Sequence, residues 1–205
     1  MFKLRDYQKE ASEQGLTILK KNKILILCFE VRLGKTHISL DIAKNYSNVL
    51  FVTKKKAISS IQEDYLTAGH KYDITVTNYE NLHNIKGNFD LVIADESHNL
   101  GTYPKPNKKA KILRSFVKND LILMSGTITP ESNSQLFHQL WISPFTPFKQ
   151  FANFYKFFNY FGTPEIVYTS YGQAKSYKNI EYSKLSNVID KYKLTYTQKE
   201  AGFSS

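Results

Sequence analysis

A glycine, a lysine and a threonine end the segment EVRLGKT, which follows the apolar run KILILCF and precedes the amphipathic stretch HISLDIAKNY. A strand that ends in a tight loop before a helix directs free backbone N–H groups and the positive end of the helix dipole at one point. Such a point binds phosphate, with Lys35 in reach of β and γ phosphates and the Thr36 hydroxyl in reach of Mg²⁺. The full phosphate-loop pattern has a further glycine where this chain has Phe29. The prediction of a phosphate-binding loop therefore depends on the strand before the Gly-Lys-Thr sequence and the helix after it.

Two adjacent carboxylates, Asp95 and Glu96, follow the apolar residues of FDLVIADESH. Neighbouring strand ends of a parallel sheet lie side by side, so Asp95 can face the Mg²⁺ held by Thr36 while Glu96 orients or deprotonates an attacking water. Two acidic residues after a strand, taken alone, are typical of an ordinary solvated turn. The order strand, Gly-Lys-Thr, helix, strand, Asp-Glu-x-His instead favours a nucleotide-hydrolysing site in which Lys35 and Glu96 are catalytic.

Five short apolar runs alternate with segments of helix length: KILILCF, NVLFVT, YDITVT, FDLVIAD and DLILMSGT. Apolar runs without period-two alternation suit strands buried on both faces, and their alternation with helices indicates crossovers in a parallel sheet. The sequence therefore predicts a three-layer α/β domain over residues 1–143, with its core ending near Ser143.

The composition changes after Ser143, in the segment PFTPFKQFANFYKFFNYFG. Four aromatic residues recur there at helical spacing: Phe148, Phe151, Tyr155 and Phe158. Aromatic residues among lysines can stack on bases, but a helix that packs its aromatic stripe on the core is the favoured interpretation. Turns and short strands are expected from Thr163 to Asn179, and YSKLSNVIDKYK predicts another helix. Residues 144–205 are thus predicted to be an aromatic-rich helical extension.

Length and composition limit the class of protein. A chain of 205 residues with 41% hydrophobic and 22% charged residues suits one substantial soluble core. Its longest apolar run, Ile24 to Phe29, is far short of the roughly 20 residues that a membrane span needs, so we expect no membrane partner and a cytoplasmic location. The single cysteine, Cys28, cannot form an internal disulfide. The net charge of +10 favours polyanionic partners, although many basic proteins bind no nucleic acid.

Five motifs, in order, resemble those of the superfamily-two helicases. DESH resembles their Asp-Glu-x-His box, EVRLGKT their first motif and SGTITP their third. LRDYQKEA is similar to the segment whose glutamine reads adenine, and VTNYENL to a motif on the nucleic-acid track. The likeness is greatest to the Snf-type, chromatin-remodeller-like DNA translocases and their compact phage members, for which the location would be the host cytoplasm. It spans nearly the whole chain and implies a RecA-like P-loop domain that binds and hydrolyses ATP with Mg²⁺.

The resemblance assigns roles to individual residues. Arg5 and Gln8 would contact the adenine, and His98 would couple the nucleotide site to the third motif through Ser125 or Thr127. The residues assigned to nucleotide binding are Arg5, Gln8, Arg32, Leu33, Gly34, Lys35 and Thr36. Those assigned to the metal are Thr36 and Asp95. Those assigned to a nucleic-acid groove are Thr53, Lys54, Asn78 and Tyr79. Without the other motifs, Arg5 and Gln8 would be assigned to a solvated helix face, and on sequence alone His98 could equally be a surface loop residue.

The chain departs from the family in two respects. Arg32 stands where many members have a small residue in the phosphate loop. After Ser143 the sequence contains nothing like a second α/β domain and no arginine-rich late motif. In the family that second domain supplies the arginine finger that stabilises the transferring phosphoryl group. The chain is therefore predicted to be half of a motor, whose partners are DNA, with RNA not excluded, and a second RecA-like domain in cis or in trans.

Two other functions were weighed against an ATP-hydrolysing motor. One is a non-catalytic module that keeps the helicase fold and docks on nucleic acid or on a protein. A binding-only protein would have no need of Glu96, so the intact set of Lys35, Thr36, Asp95 and Glu96 argues against it. The other is a metabolic P-loop kinase, which the helicase order of the motifs and the lack of an acceptor-substrate lid disfavour.

Overall fold

The computed structural model describes residues 3–202 of the chain. These residues form α-helices and β-strands, with short 3₁₀ turns between some of them. The helices are α1 (Asp6–Asn22), α2 (Lys35–Ala43), α3 (Ile58–Thr67), α4 (Lys108–Phe116), α5 (Gln135–Trp141), α6 (Phe154–Phe161) and α7 (Tyr182–Ile189). The strands are β1 (Ile24–Phe29), β2 (Asn48–Thr53), β3 (Asp73–Asn78), β4 (Leu91–Asp95), β5 (Asp120–Ser125), β6 (Glu165–Thr169), β7 (Gly172–Ser176) and β8 (Lys193–Tyr196).

Six strands form one sheet in the order β3-β2-β4-β5-β1-β8, and every neighbouring pair in it is parallel. Parallel strands need crossover connections, which place helices on the faces of the sheet. Because the strands share one direction, all their carboxyl ends lie along one edge, called here the carboxyl edge. The predicted three-layer α/β fold is confirmed.

Successive residues of the central strands point to opposite faces of the sheet, and both faces are buried. In β1, Ile24 and Ile26 belong to a core cluster that includes residues of α4, α5, α6 and α7. Leu25 and Leu27 belong to the other cluster, which α1, α2 and α3 complete. Burial on both faces explains why these strands read as continuous apolar runs in the sequence.

The edge strand β8 comes from the segment that sequence analysis assigns to the extension. It pairs in parallel with β1, where Leu27 lies opposite Leu194 and Cys28 opposite Thr195. Leu194 packs in the same core cluster as Leu27. The sequence did not predict this strand because KLTY is short and contains only one aliphatic residue. The division of the chain near residue 143 stays a prediction.

The aromatic helix α6 begins at Phe154, later than the predicted stripe. Its buried side consists of four phenylalanines: Phe154, Phe157, Phe158 and Phe161. Phe148 lies in the irregular segment before the helix, where it is buried and its ring centroid is 4.7 Å from that of Phe157. Tyr155 is exposed. Packing of the aromatic stripe on the core is therefore confirmed for Phe148 and Phe158, with a shifted register.

The remaining predicted elements of the C-terminal region are also present. β6 and β7 form a separate antiparallel hairpin with mostly exposed side chains, as expected for the turns and short strands between Thr163 and Asn179. α7 lies within the predicted helical segment YSKLSNVIDKYK. Over residues 3–202, no helix combines the length and apolar character that crossing a bilayer requires.

Candidate active site

The loop between β1 and α2 turns sharply through two left-handed residues. Arg32 has φ 67° and Gly34, the N-cap of α2, has φ 76°. The left-handed φ of Gly34 favours glycine, and a Cβ atom there would also displace the Gln8 side chain, whose Nε2 would lie 2.3 Å away. The loop therefore places the N-terminus of α2, with its free N–H groups, beside the glutamine of α1. A helix N-terminus with free N–H groups can bind a phosphate.

The ammonium group of Lys35 lies over this loop. Its Nζ donates to the carbonyl of Phe29 over 2.8 Å and to that of Glu30 over 3.3 Å. A lysine ammonium has three donors, so two carbonyls leave one for a phosphate oxygen. Burial lowers the pKa of Lys35, and the charges of Asp95 and Glu96 oppose that shift. The phosphate loop and the acidic pair thus interact electrostatically across the carboxyl edge.

Asp95 ends β4 in a fixed orientation. Its Oδ2 accepts from Thr53 Oγ1 over 2.8 Å, and its Oδ1 accepts from the backbone N–H of Glu96 over 2.9 Å. Burial raises the pKa of Asp95, and the hydrogen bond from Thr53 works against that rise. Glu96 adds to it by repulsion between the two carboxylates. A neighbouring cation would hold this carboxylate in its charged form.

Glu96 follows in a left-handed conformation, with φ 51°. A non-glycine residue in this region carries backbone strain, and such residues cluster at functional sites. Its Oε1 accepts from Lys54 Nζ over 3.1 Å, and its Oε2 lies 3.5 Å from His98 Nδ1. The carboxylate is therefore held between the end of β2 and the turn after β4.

His98 and Ser125 are in direct contact, at 2.9 Å between Nδ1 and Oγ. The Ser125 hydroxyl has one proton, which it donates to the carbonyl of Thr127 over 2.7 Å. Ser125 Oγ must therefore accept from His98, which places a proton on Nδ1. Thr127 takes part only through its backbone carbonyl, since its side chain is exposed. The structure brings together the residues predicted to couple the two motifs; the coupling itself stays a prediction.

A second link between the motifs was missed by sequence reasoning. Gln139 of α5 is fully buried; its Oε1 accepts from Ser97 Oγ over 2.9 Å and its Nε2 donates to the carbonyl of Ile128 over 2.7 Å. A buried glutamine with both ends of its amide bonded ties the turn after β4 to the loop after β5. The only signal in the sequence is a pair of glutamines four residues apart in QLFHQLW, which share one face of the helix.

Two residues assigned to a nucleic-acid groove, Thr53 and Tyr79, are buried in the structure, and their assignment stays a prediction. Thr53 is fully buried against Asp95, and Tyr79 is 5% exposed with its hydroxyl donating to the carbonyl of Asp95 over 2.6 Å. Thr53 contacts the end of the adjacent strand β4, and Tyr79, just beyond β3, contacts the same strand end although β2 lies between β3 and β4 in the sheet. Lys54 and Asn78 remain accessible at the ends of β2 and β3, although Lys54 pairs with Glu96.

One of the two predicted base-reading residues, Gln8, contacts the phosphate loop. Gln8 Nε2 donates to the carbonyl of Leu33 over 3.3 Å, and Gln8 Oε1 accepts from the backbone of Arg5 over 3.0 Å. Tyr7 also donates to the Leu33 carbonyl, over 3.2 Å. Leu33 itself is buried and contributes only this carbonyl. The amide of Gln8 is therefore positioned by the same loop that would receive the phosphates.

An open cleft of about 490 Å³ joins these residues. It is lined by Lys3, Arg5, Gln8, Arg32, Gly34, Lys35, Thr36, His37 and Asp64. Four of these side chains are basic lysines or arginines and one is a carboxylate, so the cleft favours a polyanion. A larger cleft of about 650 Å³, beside α5 and α6, contains none of the predicted site residues. The basic cleft is therefore the candidate nucleotide site.

The chain is similar in fold to a DNA-bound ATPase. No protein-family model and no curated protein matches the sequence. The SWI2/SNF2 ATPase core of Sulfolobus solfataricus, solved in complex with dsDNA, matches with a TM-score of 0.77 and 16% identity, over 98% of this chain and 46% of that one. A nuclease-deletion mutant of the Type ISP restriction-modification enzyme LlaGI with a DNA substrate mimic matches over 62% of this chain and 18% of its own, with a TM-score of 0.43 and 16% identity.

The first similarity defines the class of fold. Almost the whole chain superposes on the SWI2/SNF2 core, and it spans less than half of that protein's length. The chain thus has the same α/β fold as one part of the SWI2/SNF2 ATPase core.

Proposed function

We propose that the chain is the ATP-binding and ATP-hydrolysing first motor domain of a DNA translocase or helicase, of the Snf type, completed by a second RecA-like domain. The observation that carries the proposal is the meeting of two strand ends. Lys35, after β1, lies in the electrostatic field of Asp95 and Glu96, after β4. A binding module has no use for this pairing of a phosphate-facing lysine with two carboxylates.

The residues present fit ATP with Mg²⁺. Gly34 leaves room for the turn that exposes the N–H groups of α2, and Lys35 keeps one donor for a phosphate oxygen. Thr36 lines the same cleft; its hydroxyl and the Asp95 carboxylate are oxygen ligands of the kind Mg²⁺ prefers. Gln8 and Arg5, which line the same cleft, would contact the adenine.

Hydrolysis would require a water in line with the γ-phosphate, oriented by Glu96. Bound Mg·ATP would supply the transferable phosphoryl group, and its Mg²⁺ would neutralise part of the negative charge on the phosphates. Glu96 accepts the proton of the attacking water, and Lys35 stabilises negative charge on the phosphate oxygens. His98 and Ser125 connect Glu96 to the loop after β5, which would transmit the state of the site. An arginine finger from a second domain would supply the remaining charge stabilisation.

Nucleic acid would bind along the carboxyl edge. Lys54 and Asn78 are accessible there, and the net charge of +10 favours a phosphate backbone. The structurally similar SWI2/SNF2 core was solved with dsDNA, which makes duplex DNA the first ligand to test. We expect weak binding, largely independent of sequence and strongly weakened by salt.

Phosphate release, measured with and without a second RecA-like domain supplied in cis or in trans, tests the proposal. The chain alone should hydrolyse ATP very slowly, and the second domain should raise the rate by roughly 10³ to 10⁵ and make it respond to DNA. Glu96→Gln should bind ATP and stay inactive with that domain. A chain that binds no ATP would instead support the non-catalytic module. Rates typical of a full motor from the chain alone would contradict the half-motor account and make Arg32 the first candidate finger.

A further inference from the structure

Thr53 and Lys54, at the end of β2, bond to two consecutive carboxylates at the end of β4, those of Asp95 and Glu96. β2 and β4 pair in parallel, with Val52 opposite Ala94. The register then carries on beyond the paired residues: Thr53 bonds Asp95 over 2.8 Å, and Lys54 bonds Glu96 over 3.1 Å.

These two contacts differ in how readily water or another ligand can replace one of the partners. Thr53 is fully buried, so its hydrogen bond to Asp95 is shielded from competition. The Lys54 side chain is 49% exposed and that of Glu96 34%. Half-exposed ion pairs contribute little because water and salt compete for both partners. Lys54 also has a long, flexible stem and a compact charge that suits a phosphate oxygen equally well.

We propose that Lys54 is shared between Glu96 and a backbone phosphate of nucleic acid, so that binding of nucleic acid releases the Glu96 carboxylate. Without nucleic acid, Lys54 occupies Oε1 of Glu96 while Oε2 faces His98. Lys54 therefore competes with water for Oε1, and its positive charge makes the carboxylate a weaker proton acceptor. With nucleic acid, Lys54 moves to the phosphate and Oε1 becomes available. This inference rests on the proposed function and adds the contact through which nucleic acid would act on the hydrolytic site.

Because of thermodynamic linkage, the competition between Glu96 and DNA for Lys54 can be measured as a change in DNA affinity, without ATP hydrolysis. If Glu96 competes with phosphate for Lys54, removing the Glu96 charge must strengthen DNA binding, and must do so through Lys54. Fluorescence anisotropy of a labelled DNA duplex, without nucleotide and at several salt concentrations, gives the affinity and its salt dependence. The variants are Glu96→Gln, Lys54→Met and the double variant.

Two further double-mutant cycles serve as controls. They distinguish competition for Lys54 from a general effect of charge on DNA binding. Lys55 is the next residue, with the same charge, and forms no ion pair in the described part of the chain. Lys55→Met combined with Glu96→Gln should therefore be additive. Asp95→Asn removes the neighbouring carboxylate, which Thr53 holds, and should be additive with Lys54→Met.

Glu96→Gln should tighten binding of the duplex roughly two- to fivefold, the factor typical of a half-exposed ion pair. In the Lys54→Met background the same substitution should have almost no effect. Lys54→Met should also reduce the slope of log affinity against log salt by about one. Equal tightening by Glu96→Gln with and without Lys54, or an unchanged salt slope, would overturn the sharing while leaving the proposed function intact. A wild-type chain that binds no duplex even at low salt would overturn both.

Discussion

The hydroxyl of Thr53 donates to Oδ2 of Asp95 over 2.8 Å and so joins the end of β2 to the end of β4. Tyr79, just beyond β3, donates to the backbone carbonyl of the same aspartate over 2.6 Å. Three strand ends therefore converge on the residue proposed to face the metal. Such surrounding hydrogen bonds orient a metal ligand before the metal arrives, and their loss typically weakens metal binding by roughly tenfold to a hundredfold.

Thr53→Val is the test of this orientation. The substitution keeps the shape of the side chain and removes only its hydrogen bond, so Asp95 should lose its fixed direction. We expect Mg²⁺-dependent ATP affinity to fall roughly tenfold. Binding of ATP in the presence of a chelator should hardly change, because that measurement does not involve the metal. Isothermal titration calorimetry under both conditions gives the comparison, and an equal loss in both would show that the threonine supports the fold alone.

Lys35→Ala should abolish nucleotide binding without unfolding the domain. The substitution removes a phosphate-facing charge and leaves core packing untouched, while the two carbonyls that Lys35 contacts become accessible to water. Lys44→Ala is the matched control, since Lys44 follows the same helix and pairs only with Asp41 among the described carboxylates. Calorimetric titration with ATP and a thermal melt of each variant decide the matter. Equal ATP affinity of wild type and Lys35→Ala would contradict the phosphate-site assignment.

Gln8→Ala should reduce the preference for adenine. The Gln8 amide lies at the cleft and its Nε2 is bonded to the carbonyl of Leu33, so it can present donor and acceptor groups to a base in a defined orientation. We expect ATP affinity to fall roughly tenfold, the value of a lost hydrogen bond, with little change for GTP. Gln14→Ala, on the exposed face of the same helix, is the control. Competition between ATP and GTP measures the selectivity; unaltered selectivity would exclude the base-reading role.

His138 should make the fold sensitive to mild acid. It is 3% exposed, and its Nδ1 donates to the carbonyl of Thr102 over 2.6 Å. Burial lowers the pKa of His138 from 6.5 to about 4, against the opposing effect of that hydrogen bond. The unfolded chain therefore takes up a proton below about pH 6.5 while the folded chain stays neutral until about pH 4, so stability falls as the pH drops through this window.

Urea unfolding of the wild type and of His138→Gln at several pH values measures how much this histidine contributes to the pH dependence of the free energy of unfolding. Between about pH 7 and about pH 4.5, the wild type should lose roughly 1–3 kcal/mol more of its free energy of unfolding than the variant. Carboxylates titrate in both proteins and cancel in the difference. Parallel pH profiles for the two proteins would mean that this histidine is protonated equally in the folded and unfolded states.

Much of the fold follows from the chain itself, because buried parallel strands need continuous apolar runs that local composition reveals. β1, β2, β4 and β5 each coincide with such a run. The edge strand β8 does not, since a strand at the rim of a sheet needs little apolar sequence and is specified by its partner β1. The sequence also did not predict which aromatic residues of α6 face the core, because phenylalanine is frequent enough in that segment to form more than one helical stripe.

The sequence by itself determined which residues could carry the chemistry. Gly34, Lys35 and Thr36 are neighbours in the chain, and so are Asp95 and Glu96, so local order alone identifies the phosphate loop and the acidic pair. Only the tertiary structure decided which side chains hold them. Thr53 and Lys54 each lie 42 residues from the carboxylate they bond, and nothing in their local sequence distinguishes a buried partner of an aspartate from a surface contact for DNA. Strand register makes that choice, because it fixes which face and which neighbour each side chain meets.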